Sequence, residues 1–202
     1  IKHFSVGVNA GYLFGSKDYS TRRIFLNDTL LFYKSNHQAH SNYNGIYLNA
    51  GVQYTIPLNR KSQLQFGAYG NLQQSMNATR SLTRETYDYN ESTGNFTIDS
   101  VYKESGISGT VKLPASFGIG VLFNKLGRLI ISADYDVTKW SQYRYFDSTD
   151  YVQDSRNFHL GAQIIPSGGK SYWSNVAYRG GFSLGRDYVK LDKDLPRWSV
   201  SF

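Results

Sequence analysis

Four side chains able to carry a proton or a charge fall at alternate positions of short apolar runs. They are Asp134 and Asp136 in ADYDV, His159 in FHLG and Arg179 in AYRGG. Two carboxylates, an imidazole and a guanidinium in one place could hold water, relay a proton or receive an anion. Arg179 is the natural partner for a carboxylate, because its planar fork donates two parallel hydrogen bonds. The plainer reading is a polar network, since charges withdrawn from bulk water must pair with one another. Catalysis has no comparable support. His3, His37, His40 and His159 lack ligand-like grouping, and there is no cysteine, nucleophile motif or glycine-rich phosphate loop. No enzyme activity, metal or cofactor is therefore expected.

The elements that must position these groups have a period of two. In residues 4–14 the even positions are Phe4, Val6, Val8, Ala10, Tyr12 and Phe14, and the odd ones are mostly Ser, Gly and Asn. The same alternation predicts eight strands, at 3–14, about 44–56, 63–87, 98–123 and 128–145, then 156–165, 175–187 and one beginning near Arg197. The off-beat face carries Gly, Ser, Asn, Gln and Tyr rather than the Lys and Glu of a water-facing sheet. That suits a confined wet interior, with lipid on the other side. Connections alternate too: 57–62, 124–127 and 166–174 are short, whereas 15–43, 88–97, 146–155 and 188–196 are longer on average and polar. The pattern predicts an all-β transmembrane antiparallel β-barrel of the bacterial outer membrane, one domain over 1–202, with the long loops extracellular and the short turns periplasmic. A soluble β-sandwich is the competing reading.

Composition agrees. The 202 residues contain 17 Tyr and 12 Phe, and no apolar run is long enough for a transmembrane helix. Tyr54, Tyr172, Trp173, Tyr178 and Trp198 fit an interfacial girdle. The net charge of +7 is scattered and forms no nucleic-acid motif, so no nucleic-acid partner is expected. Within 15–43, Ile24, Phe25, Leu26, Leu30, Leu31 and Phe32 form an apolar cluster in a predicted loop, where it either packs on the rim or captures a hydrophobic ligand. Arg80 and Arg84 share parity with the lipid face beyond the spanning turns, where they would meet outer-membrane lipid and lipopolysaccharide phosphates or face solvent.

The stretches FSVGVNAGY (4–12), GIYLNAGVQYTI (45–56), the Leu113–Pro114 step, ADYDVTKWSQY (133–143), FHLG (158–161) and AYRGGF (177–182) together resemble the FadL family of outer-membrane transporters. The resemblance implies a fourteen-stranded barrel of which this chain looks like strands five to twelve. The family's N-terminal hatch would lie outside it. It implies passive, porin-like binding and relay of long-chain fatty acids or other hydrophobic small molecules, with capture at the 15–43 loop. A complete eight-stranded barrel is the alternative architecture. The alternative function is a structural or accessory outer-membrane barrel, such as an adhesin or a subunit of a secretion or uptake complex.

Overall fold

The computed structural model describes residues 3–24, 33–90, 92, 94–191 and 194–202. The described chain is all-β, a single antiparallel sheet that does not close on itself. Its strands are β1 (Phe4–Arg23), β2 (Lys34–Asn59), β3 (Ser62–Asn71), β4 (Gln74–Asn90), β5 (Gly94–Leu113), β6 (Ser116–Lys125), β7 (Leu129–Thr138), β8 (Arg144–Tyr145), β9 (Ser155–Ile164), β10 (Tyr178–Arg186) and β11 (Pro196–Ser201). Across the sheet β1, β2, β3, β6, β7, β9, β10 and β11 succeed one another. No helix among the described residues is long and apolar enough to cross a membrane.

The alternation converts directly into faces. One rung runs Phe4, Tyr54, Phe66, Val121, Ala133, Leu160, Phe182, Val200, each paired with the next. One residue along, the opposite face reads Ser5, Gln53, Gly67, Gly120, Asp134, His159, Ser183, Ser199. Among the described residues nothing covers the β1 part of the apolar face: Phe4, Val6 and Val8 are 44%, 63% and 69% exposed. Among the described residues only Met76, Ala78, Tyr87, Val111 and Ala115 are buried hydrophobics. A soluble sandwich would place the Phe4–Phe14 row in a dry centre, and the described sheet has no such centre over that row.

The strand expected at 128–145 ends at Thr138, and of the expected loop 88–97 residues 88–90 and 94–97 are strand; two larger differences bear on the faces. First, most of 15–43 is ladder, not loop. β1 and β2 stay paired from Phe4↔Tyr54 up to Arg23↔Ser35. Polar residues occupy both faces there, so the hydropathy signal ends while the backbone pairing continues. Second, the expected strands 63–87 and 98–123 are each broken, at Leu72–Gln73 and at Pro114–Ala115. Pro114 has no N–H for a ladder, and Asn71 Nδ2 donates to the Pro114 carbonyl at 3.1 Å. Gln74 fills the gap opposite β2: its Oε1 accepts from Leu48 N at 2.7 Å and its Nε2 donates to Leu48 O at 2.9 Å.

The first break changes the faces. From Ala50 to Asn44 β2 advances six residues, whereas the neighbouring chain advances seven, from Gly70 to Asn77. One extra residue reverses which parity points to which side. Phe66 and Ala68 are therefore on the apolar face, but Met76, Ala78, Arg80 and Arg84 are on the polar face. Met76, Ala78 and Val111 form a small core there, packed by Tyr43, Leu113, Tyr143, Tyr145 and Phe146. The connection after β7 closes over it, with β8 pairing to β5.

Candidate functional site

The polar face of β7 and β9 brings three of the four expected groups together. Asp134 pairs with His159 and Asp136 with Asn157 across the strands. Asp136 is the hub: its Oδ1 lies 3.1 Å from His159 Nε2, and its Oδ2 accepts from Asn157 Nδ2 at 2.8 Å. Asp134 leans the other way over Gly120, where any side chain would collide with its carboxylate. Tyr69 lies across Gly118 in the same manner, and Asn157 across Gly185. The glycines on this face thus let long polar side chains lie flat between strands.

Arg179 is not part of that network. It pairs with Gln163, and its Nε donates to Gln163 Oε1 at 2.8 Å. On β10 it is four residues from Ser183, the partner of His159, or about 13 Å along the strand. Counted from the short turns, the sequence would put all four groups at similar heights; the register sets Arg179 apart from the other three. The Asp134–Asp136 side therefore carries two carboxylates with one imidazole and no guanidinium, a poor receptor for an anionic head group. Among the described residues no His, Cys, Asp and Glu are grouped to hold a metal.

Ile24 is exposed at the end of β1, whereas Phe25, Leu26, Leu30, Leu31 and Phe32 lie outside the described residues. Arg80 and Arg84 are placed on the face opposite the apolar rows, because of the extra residue between β3 and β4. A contact with lipopolysaccharide alongside the lipid face does not fit that position. The Arg80 guanidinium sits 4.4 Å from the Phe146 ring centre and that of Arg84 5.5 Å from the Tyr102 ring centre. Sequence reasoning missed these pairs because it carried one parity through residues 63–87. The available signal was the Leu72–Gln73–Gln74 interruption, where two like polar residues succeed each other and the alternation stumbles.

Two further polar clusters were also not foreseen, one at the far ends of the long strands and one in the connection before β9. Asn36 Nδ2 donates to Glu85 Oε1 at 2.8 Å, Thr97 Oγ1 to Glu85 Oε2 at 3.0 Å, and Lys34 pairs with Asp88 at 3.1 Å. In the connection between β7 and β9, Asp154 accepts from Ser141 N at 3.0 Å and pairs with Lys139 at 3.2 Å. Burial pushes the Asp154 carboxyl up, but the Ser141 hydrogen bonds and the Lys139 charge outweigh it and leave it below its ordinary value.

Comparison with known protein families finds a match over nearly the whole chain. The BamG family model covers residues 1–196. No curated protein and no solved structure matches. The match overturns the FadL resemblance and, with it, the transport of fatty acids or other hydrophobic compounds and the corresponding ligand partners. The Asn-Ala-Gly steps at 9–11 and 49–51 follow from the strand code itself, with Asn and Gly on the polar face and Ala on the other, and are not diagnostic of that family. The bacterial outer membrane, expected from the alternation, is where the BamG match places the protein.

Proposed function

The chain belongs to the BamG family, and from that premise we propose that it is an accessory subunit of the Bam complex, the outer-membrane assembly machinery. The match over residues 1–196 carries this reading. The site agrees with it, because Asp136, His159 and Asn157 satisfy one another within the sheet, and Asp134 lies beside them over Gly120 as filling between strands. Arg179, held by Gln163, has the same structural role. The protein performs no chemistry; it contributes a surface.

The reading includes a transmembrane barrel wall. The apolar row of β1 runs from Phe4 to Phe14 and gives way to Ser16 and Asp18. Residues 4–14 at roughly 3.3 Å each span about 33 Å, or about 25 Å of height at a tilt of roughly 40°, which matches the apolar band of an outer-membrane barrel. The uncovered rows then meet lipid and the Ser, Gly, Asn and Asp face meets water. β1 and β11 are open edges in the described sheet. Unpaired backbone groups in hydrocarbon cost several kcal/mol each, so in the membrane both edges are paired, with each other or with further strands. The short turns at 60–61 and 126–128 face the periplasm and the long β1–β2 and β4–β5 arms project outside.

The test is co-purification. The affinity-tagged full-length protein, extracted gently from outer membranes, should carry the Bam subunits in constant ratio through a sizing column. Recovery free of them, at native expression and without cross-linker, would refute the assignment.

A further inference from the structure

We propose that the polar side of the β1–β2–β4–β5 projection docks an extended acidic polypeptide segment of a partner protein. The proposal rests on the accessory-subunit reading for the partner being a protein, and it adds where the contact lies and by what chemistry.

Three rungs of the sheet make the surface. The first pairs Lys17, Ser41, Arg80 and Ile107; the second Tyr19, Ala39, Leu82 and Glu104; the third Thr21, His37, Arg84 and Tyr102. All lie on the same side as Asp134, by the parity of β1. Each of three cations is stacked on an aromatic ring: Lys17 Nζ at 5.0 Å from the Tyr145 ring centre, Arg80 over Phe146 and Arg84 over Tyr102. Stacking fixes their direction and leaves their N–H donors unspent. None of the three has a carboxylate within ion-pair distance among the described residues, and the enclosed Arg80 Nε donates to nothing. Glu104 and, one rung further, Asp99 are the acids on this face, against Lys17, Arg23, Arg80 and Arg84. Glu104 is engaged as acceptor of the Tyr102 hydroxyl.

The ring under Arg80 is held by a built feature. Tyr145–Ser148 closes a tight turn with both central residues left-handed, Phe146 at φ 49° and Asp147 at φ 58°. Such angles are disfavoured for residues with a side chain. They are retained where Phe146 N donates to Thr110 O at 2.9 Å and the ring rests on Gly109, whose missing side chain makes the room.

Spacing selects the occupant. Lys17 and Arg80 flank Ser41, two strand spacings or roughly 10 Å apart, and Arg84 is four residues beyond Arg80, roughly 13 Å along the strand. One phosphate or carboxylate cannot reach all three. An extended chain with acids at every fourth position can, and the exposed Tyr19 between the rungs offers it an aromatic contact. Lipid head groups are disfavoured by geometry, since the surface is on the side opposite the apolar rows and beyond their end.

The experiment uses the full-length protein in detergent and two labelled synthetic peptides, one with Glu at every fourth position and one with Gln there, read by fluorescence anisotropy. The Glu peptide should bind at least about tenfold more tightly, weaken as salt rises, and lose that preference in Lys17→Gln/Arg84→Gln. Both side chains are exposed and make no hydrogen bond among the described residues, so the variant should fold with an unfolding midpoint close to that of the parent. Equal binding of the two peptides, or an unchanged preference in the variant, would overturn the proposal. Purified lipopolysaccharide displacing the Glu peptide from the parent at lower concentration than unlabelled peptide would also overturn it, in favour of a saccharide phosphate. Failure of the co-purification above with the peptide preference intact would sink the Bam reading alone. The converse result would sink this surface alone.

Discussion

Replacing Val8 by Arg separates a lipid-facing sheet from a water-facing one with one measurement. Val8 is 69% exposed, lies mid-way along the Phe4–Phe14 row, and is paired with the small Ala50. Little packing is lost on substitution, so the cost reports the medium. In hydrocarbon near the midplane an arginine costs about 2–4 kcal/mol, falling to roughly 0–1 near the interface. In water the same exchange on an exposed strand is within about 0.5 kcal/mol of neutral. Phe14, four rungs of the same parity from Val6 and 79% exposed, marks the end of the row. Phe14→Arg, corrected by Phe14→Ala and Val8→Ala for the side chain lost, should therefore cost less than Val8→Arg by about 2 kcal/mol. The assay is reversible guanidinium unfolding of the full-length protein in phospholipid vesicles, with the folded band followed by its mobility on unheated gels. Equal and near-neutral costs at both positions would refute the transmembrane reading.

Three other perturbations follow from the geometry. Asp136→Ala strips His159 and Asn157 of their shared acceptor and should cost about 1–2 kcal/mol, whereas Arg179→Ala, outside that network, should cost less; equal losses in the same unfolding assay would contradict the separation of the two. Gln74→Ala leaves both backbone groups of Leu48 without their side-chain substitutes at the β3–β4 gap, with an expected loss of about 1–2 kcal/mol and faster amide exchange at Leu48; unchanged exchange would refute that role. Asp154 has a carboxyl held below its ordinary value of 3.8, so its stabilisation is fully present above that value and fades as pH falls through the lower folded one. Protease cutting within 139–155 should rise in that acid window in the parent, and Asp154→Asn should cut equally across it; a parent with a flat profile would refute the linkage.

The faces of the sheet were legible because each apolar run obeys one strict alternation and each rung is built of residues in phase. Phe4, Tyr54, Phe66, Val121 and Ala133 could each be assigned to the apolar face from sequence alone, while their alignment into one rung came from the ladder. The projection was not legible for the same reason. Above Phe14 and below Ile46 both faces are polar, so nothing in hydropathy separates β-ladder from loop, and the pairing Lys17↔Ser41 or Thr21↔His37 rests on backbone hydrogen bonds that any residue can make. The polar site was half legible. Parity put Asp134, Asp136, His159 and Arg179 on one side, but height depends on register, and register across β9 and β10 is set by the 165–177 connection, whose length does not announce where pairing resumes.

The parity reversal at Leu72–Gln73 has a consequence for how the two halves of the molecule divide their work. Without the extra residue, Met76, Ala78 and Arg80 would continue the Phe66–Ala68 row outward, and the polar side of the projection would carry Asn77, Thr79 and Ser81. With it, the apolar Met76 and Ala78 turn inward as the base of a small core under Tyr145 and Phe146, and Arg80 and Arg84 turn inward above them. The same insertion therefore removes hydrophobic residues from the outer side at the height where lipid would end, and supplies both the packing and the charge of the inner platform. Restoring the phase tests this directly. Deleting Gln73 forces either the apolar core or the Gln74–Leu48 bridge out of register, since both cannot be kept with one parity. The deletion should lose the Glu-peptide preference, while Val8→Arg should retain its cost in the deleted background, because the lower sheet keeps its own ladder from β1 through β11.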